Sequence, residues 1–127
     1  MALTDLLASA AHTIARGALF AVKRGYNQRT LTGDITLGPT YPTLLGLDPG
    51  GAGRTIVLDG DAAAVNDGAI SGMLRLIVNR ADAAEDLTIN DATGATVATL
   101  NQNDAGLFYH DPDVGWTLAF VVTISLT

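Results

Sequence analysis

The chain contains no cysteine. That excludes disulfide staples, thiol catalysis and thiolate metal sites together, and leaves stability to packing or assembly. Glutamate is almost as scarce, with Glu85 alone beside twelve aspartates. An acid/base carboxylate pair would therefore depend on aspartates, and those lie near turn signals. No apolar run approaches the roughly 20 residues of a membrane span, so no membrane partner is expected. A secretory signal is not expected either: Asp5 lies near the start, there is no basic n-region, and the first positive charge is Arg16. The surface helix formers are few, whereas fourteen glycines and many threonines fit turns and strands.

What charge there is divides unevenly. Residues 1–30 carry Arg16, Lys23, Arg24 and Arg29 against Asp5, while residues 31–127 carry Arg54, Arg75 and Arg80 against twelve acids. A basic arm thus precedes an acidic body. The net charge of -6 argues against nucleic acid as a partner of the whole molecule.

From Leu3 to Val22, Leu3, Leu6, Leu7, Ala10, Ile14, Ala18, Ala21 and Val22 recur at three- and four-residue steps, which predicts an amphipathic helix. Thr4 can cap it, Asp5 and the pair Lys23 and Arg24 suit its dipole, and Gly25 can end it. The apolar stripe needs cover from the β body, another subunit or a membrane surface. After a polar connector at Tyr26 to Thr30, strands are expected over Leu31–Leu37, Leu44–Leu47, Arg54–Leu58, Ile70–Val78, Leu87–Asn90, Ala95–Leu100, Ala105–Tyr109 and from Trp116 onward. The Ile70–Val78 run, broken only by Arg75, reads as a central strand covered on both faces. In the last strand, Trp116, Leu118, Phe120, Val122, Ile124 and Leu126 share one face of the alternation. The expected fold is all-β: an antiparallel β-sandwich or jelly-roll-like body over residues 31–127, with an N-terminal amphipathic helical arm over residues 1–30. No internal repeat is visible.

Asp48-Pro49-Gly50-Gly51 offers proline where a type II turn presets φ and glycine where it needs φ > 0. Gly53-Arg54-Thr55 superficially resembles the end of a phosphate loop. Asp48 falls at that motif's first glycine, Arg54 replaces its lysine, and a strand follows in place of a helix, so nucleotide binding is excluded. Asp59-Gly60-Asp61 begins like a calcium loop but puts Ile70 where the bidentate glutamate belongs. Asp59, Asp61, Asp111 and Asp113 would form a metal site only if folding joined their loops, and they read as solvated turn residues. His12 lies on the polar side of the arm and His110 beside a turn. Ala69-Ile70-Ser71-Gly72 lacks the first glycine of a nucleophile elbow. No catalytic constellation, cofactor site or metal site is expected, and the chain reads as a non-enzyme. Arg75 is the one buried-charge candidate, with a carboxylate of the body or of another subunit as its expected partner.

Three segments carry a resemblance. Leu47 to Leu58 (Leu-Asp-Pro-Gly-Gly-Ala-Gly-Arg-Thr-Ile-Val-Leu), Ile77 to Ile89 (Ile-Val-Asn-Arg-Ala-Asp-Ala-Ala-Glu-Asp-Leu-Thr-Ile) and Ala98 to Phe108 (Ala-Thr-Leu-Asn-Gln-Asn-Asp-Ala-Gly-Leu-Phe) resemble the small β-structured decoration, cement or head-fibre proteins of tailed bacteriophages. The resemblance spans residues 31–127 and not the arm. It implies a non-enzymatic structural protein of the virion, a homotrimer on the capsid exterior that binds where major capsid proteins meet, made in the host cytoplasm. The arm then supplies the expected capsid or subunit interface: Leu3, Leu6, Leu7 and Ile14 as its apolar part, and Arg16, Lys23, Arg24 and Arg29 as charges suited to an acidic capsid exterior. A different reading is a glycan- or receptor-binding module of a phage tail fibre, with Tyr109, His110 and Trp116 gathered at one turn.

Overall fold

The structure, a computed structural model, describes residues 25–38, 40–58 and 72–125. Nine strands are present among them: β1 (Tyr26–Thr30), β2 (Ile35–Thr36), β3 (Leu44–Asp48), β4 (Arg54–Val57), β5 (Leu74–Asn79), β6 (Leu87–Asn90), β7 (Thr96–Leu100), β8 (Asp104–Asp111) and β9 (Gly115–Thr123). They form a five-stranded sheet in the order β1-β3-β5-β8-β9 and a four-stranded sheet in the order β2-β4-β6-β7. The all-β body is as expected. No helix occurs among the described residues, and the proposed helix over Leu3 to Val22 lies outside them.

The antiparallel expectation requires correction, because both sheets are mixed. β1, β3 and β5 run parallel, as do β2, β4 and β6; only β7, β8 and β9 pair antiparallel. The cause lies in the corners. Asp48-Pro49-Gly50-Gly51 does turn the chain, with Gly50 at φ 77° as a type II turn requires, and the Asp48 carboxylate accepts the Gly50 N–H at 2.9 Å. The turn, however, delivers the chain from the five-stranded sheet into the four-stranded one. Each strand of the opposite sheet thus serves as the crossover that parallel neighbours need. A side chain at Gly50 would strike the Leu31 carbonyl oxygen of the preceding corner, so the corners stack and only glycine fits there.

The chain therefore winds three times between the sheets before β7 reverses it. Tyr26 pairs with Leu44 and Ile35 with Ile56, eighteen and twenty-one residues on, whereas Leu44 pairs with Leu76 and Arg54 with Leu87, thirty-two and thirty-three on. Turns of such unequal length leave no fixed period in the sequence. β2 has only two residues, yet the Asp34 carboxylate accepts the Thr55 N–H at 2.8 Å and the Leu37 N–H donates to Val57 O at 2.8 Å, which extends its hold on β4. Tyr26–Thr30, expected as a connector, is a full edge strand.

One core lies between the sheets. Leu45, Leu47, Ile77, Phe108 and Trp116 enter it from the five-stranded sheet, Ile56, Leu87, Ile89 and Leu100 from the four-stranded one, and Leu31, Leu37 and Leu58 from the corners. The β6–β7 hairpin forms as expected, around the Asp91 turn. β9 departs from its single-face pattern: Phe108 pairs with Leu118 but Leu107 pairs with Phe120, so Ala119 is an extra residue, a β-bulge. Trp116 and Leu118 face the core, while Phe120 and Val122 pass to the other face.

Candidate interaction surface

The faces of the five-stranded sheet follow from parity. On β5, Arg75, Ile77 and Asn79 are buried and Leu74, Leu76 and Val78 are half-buried on the opposite, outer face. That strand is central, as its composition predicts, but only one of its faces is fully covered. Carrying the register outward from Leu76 gives a row of five apolar side chains across the whole sheet: Tyr26, Leu44, Leu76, Leu107 and Phe120. The neighbouring row is Gln28, Gly46, Val78, Ala105 and Val122. Neither row holds a charge. Tyr26 and Phe120 at the two ends are 48% and 49% exposed, and Val121 and Val122 are 37% and 45% exposed. Gly46 sits beneath the Tyr26 hydroxyl and the Arg80 side chain, both of which a β-carbon would meet. The Tyr26 hydroxyl donates to Gln28 Oε1 at 3.1 Å, so the ring lies along the outer surface.

Beside these rows is a polar corner. Gln28, Arg29, Thr30, Asp48 and Arg80 line an open cavity of about 350 Å³. Carboxylate oxygens of Asp48, Asp82 and Glu85 come within 4.8 Å of one another nearby. Two of these groups already brace the turn: Asp48 accepts hydrogen bonds from the Thr30 hydroxyl and the Gly50 N–H, and Glu85 accepts the Gly51 N–H at 3.2 Å. Their proximity has this structural cause, so the cluster is assigned no ion. Of the other aspartates considered as ligands, Asp111 also braces a turn. Asp111 accepts the Asp113 N–H at 2.8 Å and the Val114 N–H at 3.2 Å to close the β8–β9 turn, and Asp59 and Asp61 lie outside the described residues.

The buried polar groups serve the fold. Arg75 is fully buried and donates to the carbonyl oxygens of Gly38 at 3.0 Å, Tyr41 at 3.0 Å and Pro42 at 3.3 Å. Backbone carbonyls of the proline-interrupted connector thus hold the guanidinium. This follows from the connector itself, since carbonyls there have no ladder to join and need a donor. Asn79 donates to Glu85 O and Leu100 O and accepts the Ala81 N–H, joining the end of β5 to the following corner and to β7. Burial pushes the Asp91 carboxyl upward, but hydrogen bonds from the Thr93 hydroxyl and the N–H groups of Ala95, Thr93 and Gly94 outweigh it and hold the group below its ordinary value.

Of the expected interface residues, Leu3, Leu6, Leu7, Ile14, Arg16, Lys23 and Arg24 lie outside the described residues. Arg29 is exposed on β1, 3.5 Å from the Tyr41 hydroxyl and 5.8 Å from its ring centroid. The aromatic group considered for glycan binding divides between two faces. His110 and Trp116 point into the sandwich and meet edge-to-face at 5.5 Å, whereas Tyr109 lies on the outer face. The apolar rows were the feature the sequence hid. Their signal is the alternation of Leu74, Leu76 and Val78 within a run that looks continuously apolar. The sequence matches no known family model and no curated protein.

Proposed function

We propose that this chain is a structural virion protein that binds the outer surface of a phage capsid and stabilises it, acting as a trimer. Its two mixed sheets, β1 included, form a β-sandwich body, and residues 1–24 contribute an amphipathic, basic helical arm. The observation that carries the reading is the far half of β9. Ala119, Phe120, Val121 and Val122 are uncharged and exposed on both faces of a nine-residue edge strand. Soluble proteins normally blunt such an edge with charge, proline or a cover. Burial against other copies of the chain removes the liability and supplies the stabilisation that a cysteine-free body lacks.

The resemblance to decoration proteins supports the capsid as partner. Its first two segments make the corners that carry the chain between sheets, and the third leads from β7 into β8, so the likeness lies in fold-forming residues. The separation of charge supports the orientation: Arg16, Lys23, Arg24 and Arg29 suit an acidic capsid exterior, while the acidic remainder is repelled from it. Light scattering on a sizing column is expected to give a trimer at micromolar concentration, and a Val121→Lys, Val122→Glu variant a monomer. A monomeric unaltered chain sinks the trimer. Co-sedimentation with expanded capsids is expected for the unaltered chain and lost when Arg16, Lys23, Arg24 and the β1 residue Arg29 are replaced by glutamate; failure of the unaltered chain to sediment sinks the capsid reading.

A further inference from the structure

We infer that the apolar stripe of residues 3–22 docks on the outer face of the five-stranded sheet of its own chain, over the row from Tyr26 to Leu107. The inference does not depend on the capsid reading. It starts from a match between a surface and a segment. The surface is a row of large apolar side chains, Tyr26, Leu44, Leu76 and Leu107, flanked by Val78 and Ala105 and without a charge among them. The segment is a helical pattern with Leu3, Leu6, Leu7, Ala10 and Ile14 on one stripe and no apolar helical partner elsewhere in the sequence.

Where the segment ends selects this face. It joins the described residues at Gly25, and the next residue, Tyr26, is itself the first member of the row. Gly25 has φ 106°, a conformation open to glycine that lets the chain fold back over the strand it precedes. The inner face of the sheet is filled by the core, so the outer face is the apolar surface within immediate reach. Length also suffices. Twenty helical residues span about 30 Å, against about 19 Å across five strands at roughly 4.8 Å spacing. Because the two partners are covalently joined, docking occurs at an effective concentration on the order of millimolar, which second copies in dilute solution do not reach.

Asp111 lies at one end of the face, and Asp48 lies at the other beside Arg29 and Arg80. At about 100° per residue, His12, Arg16 and Lys23 fall opposite the Leu3–Ile14 stripe. A docked arm therefore displays Arg16 and Lys23 outward, on the side away from the sheet, while Arg24 falls at the angle of Leu6.

The absence of cysteine makes the test clean. A nitroxide on a Ser9→Cys variant of the full chain is expected to broaden the methyl signals of Leu44, Leu76 and Leu107 while sparing Leu58 and Ile89. In a second sample, nitroxide-bearing chains without isotope and isotope-labelled chains without nitroxide are unfolded and refolded together, and those signals are expected to keep their intensity. Intact signals in the first sample overturn the docking, and broadening in the second overturns the own-chain assignment. Leu76→Glu, on the outer face and away from the core, is expected to speed tryptic cleavage at Arg16, Lys23 and Arg24 about tenfold with the β-sheet circular dichroism retained. Equal cleavage rates in the two proteins overturn the docking as well.

Discussion

Replacing Asn79 with alanine tests whether the winding is held by a single buried amide. Asn79 Nδ2 donates to Glu85 O at 2.8 Å and to Leu100 O at 2.9 Å, and Oδ1 accepts the Ala81 N–H at 2.9 Å. The bonds to Leu100 and Ala81 are buried, whereas that to Glu85 is partly open to solvent. Truncation leaves the buried Ala81 N–H without its acceptor, at about 1–3 kcal/mol, and removes a donor from the Leu100 and Glu85 carbonyls, at about 0.5–1.5 kcal/mol each. The vacated volume can admit a water that recovers part of the loss, so the expected cost is about 3 kcal/mol. Against a total stability of roughly 5–15 kcal/mol, this lowers the melting temperature by roughly 10–20 °C. Urea unfolding at fixed protein concentration measures it, with the concentration held because assembly would shift the midpoint. Asn79→Asp separates hydrogen bonding from packing, since it preserves shape and acceptor but turns a carboxylate toward two carbonyl oxygens. Its folded pKa would be raised above the unfolded value. The variant is therefore least impaired below the ordinary Asp value, where a protonated carboxyl can donate, and loses stability as pH rises. A loss under about 1 kcal/mol for Asn79→Ala, or an Asn79→Asp variant indifferent to pH, would refute the reasoning.

Three further outcomes are expected. Gly46→Ala places a methyl group against the Tyr26 hydroxyl and Arg80 and should cost about 1–3 kcal/mol as overpacking; thermal unfolding should show much of this recovered in a Tyr26→Ala background, and additive effects would remove the clash as the cause. Arg75→Lys keeps the charge but cannot span the Gly38 and Tyr41 carbonyls as two guanidinium nitrogens do, so urea midpoints should reveal a loss of about 2 kcal/mol; an unchanged midpoint contradicts the clamp. Asp91, whose carboxyl is held below its ordinary value, contributes stability that is present above the unfolded pKa and lost as pH falls through the folded one. Asp91→Ala should therefore cost about 1 kcal/mol at neutral pH, the low end suited to a solvated turn, and the gap from the unaltered chain should close in acid. A gap that persists under full protonation rules out the carboxylate as its source.

Local features were legible where local chemistry decides them. Pro49 and Gly50 set a turn wherever the chain goes next, and the Leu87–Leu100 hairpin follows from Asp91-Ala92-Thr93-Gly94 between two short strands. The destination of each turn was not legible. Whether Asp48–Gly51 reverses the chain within one sheet or carries it across to another depends on the Leu31 carbonyl against Gly50 and on Glu85 reaching Gly51, contacts between residues far apart in sequence. The same limit concealed the surface. Trp116 to Val122 alternate perfectly on paper, and one extra residue at Ala119 reverses the second half. Tyr26–Thr30 looked like a connector because an edge strand needs few apolar residues when only one of its sides is paired.

The edges themselves argue for the direction of assembly. Among the described residues the two sheets have four. β2 has two residues, too short to template another strand. β1 exposes Gln28, Arg29 and Thr30, and β7 exposes Thr96 and Thr99, so a further strand added at either would set polar side chains against its own. β9 is the longest strand of the nine and carries four consecutive exposed apolar residues, Ala119 to Val122, before its last residue Thr123. Its bulge turns Phe120 and Val122 to the outer face and leaves Val121 on the inner one, whereas strict alternation would have kept Phe120 and Val122 in the row of Trp116 and Leu118. A bulge is commonly a device that spoils an edge for pairing. Here it leaves apolar groups on both sides of the strand, an arrangement that favours contact with a surface wrapping around the edge over simple addition of one more strand. If copies associate through β9, Val121→Lys and Val122→Glu should each weaken the assembly, because the partner must meet both faces; dissociation by only one of the two would reduce the contact to a single face.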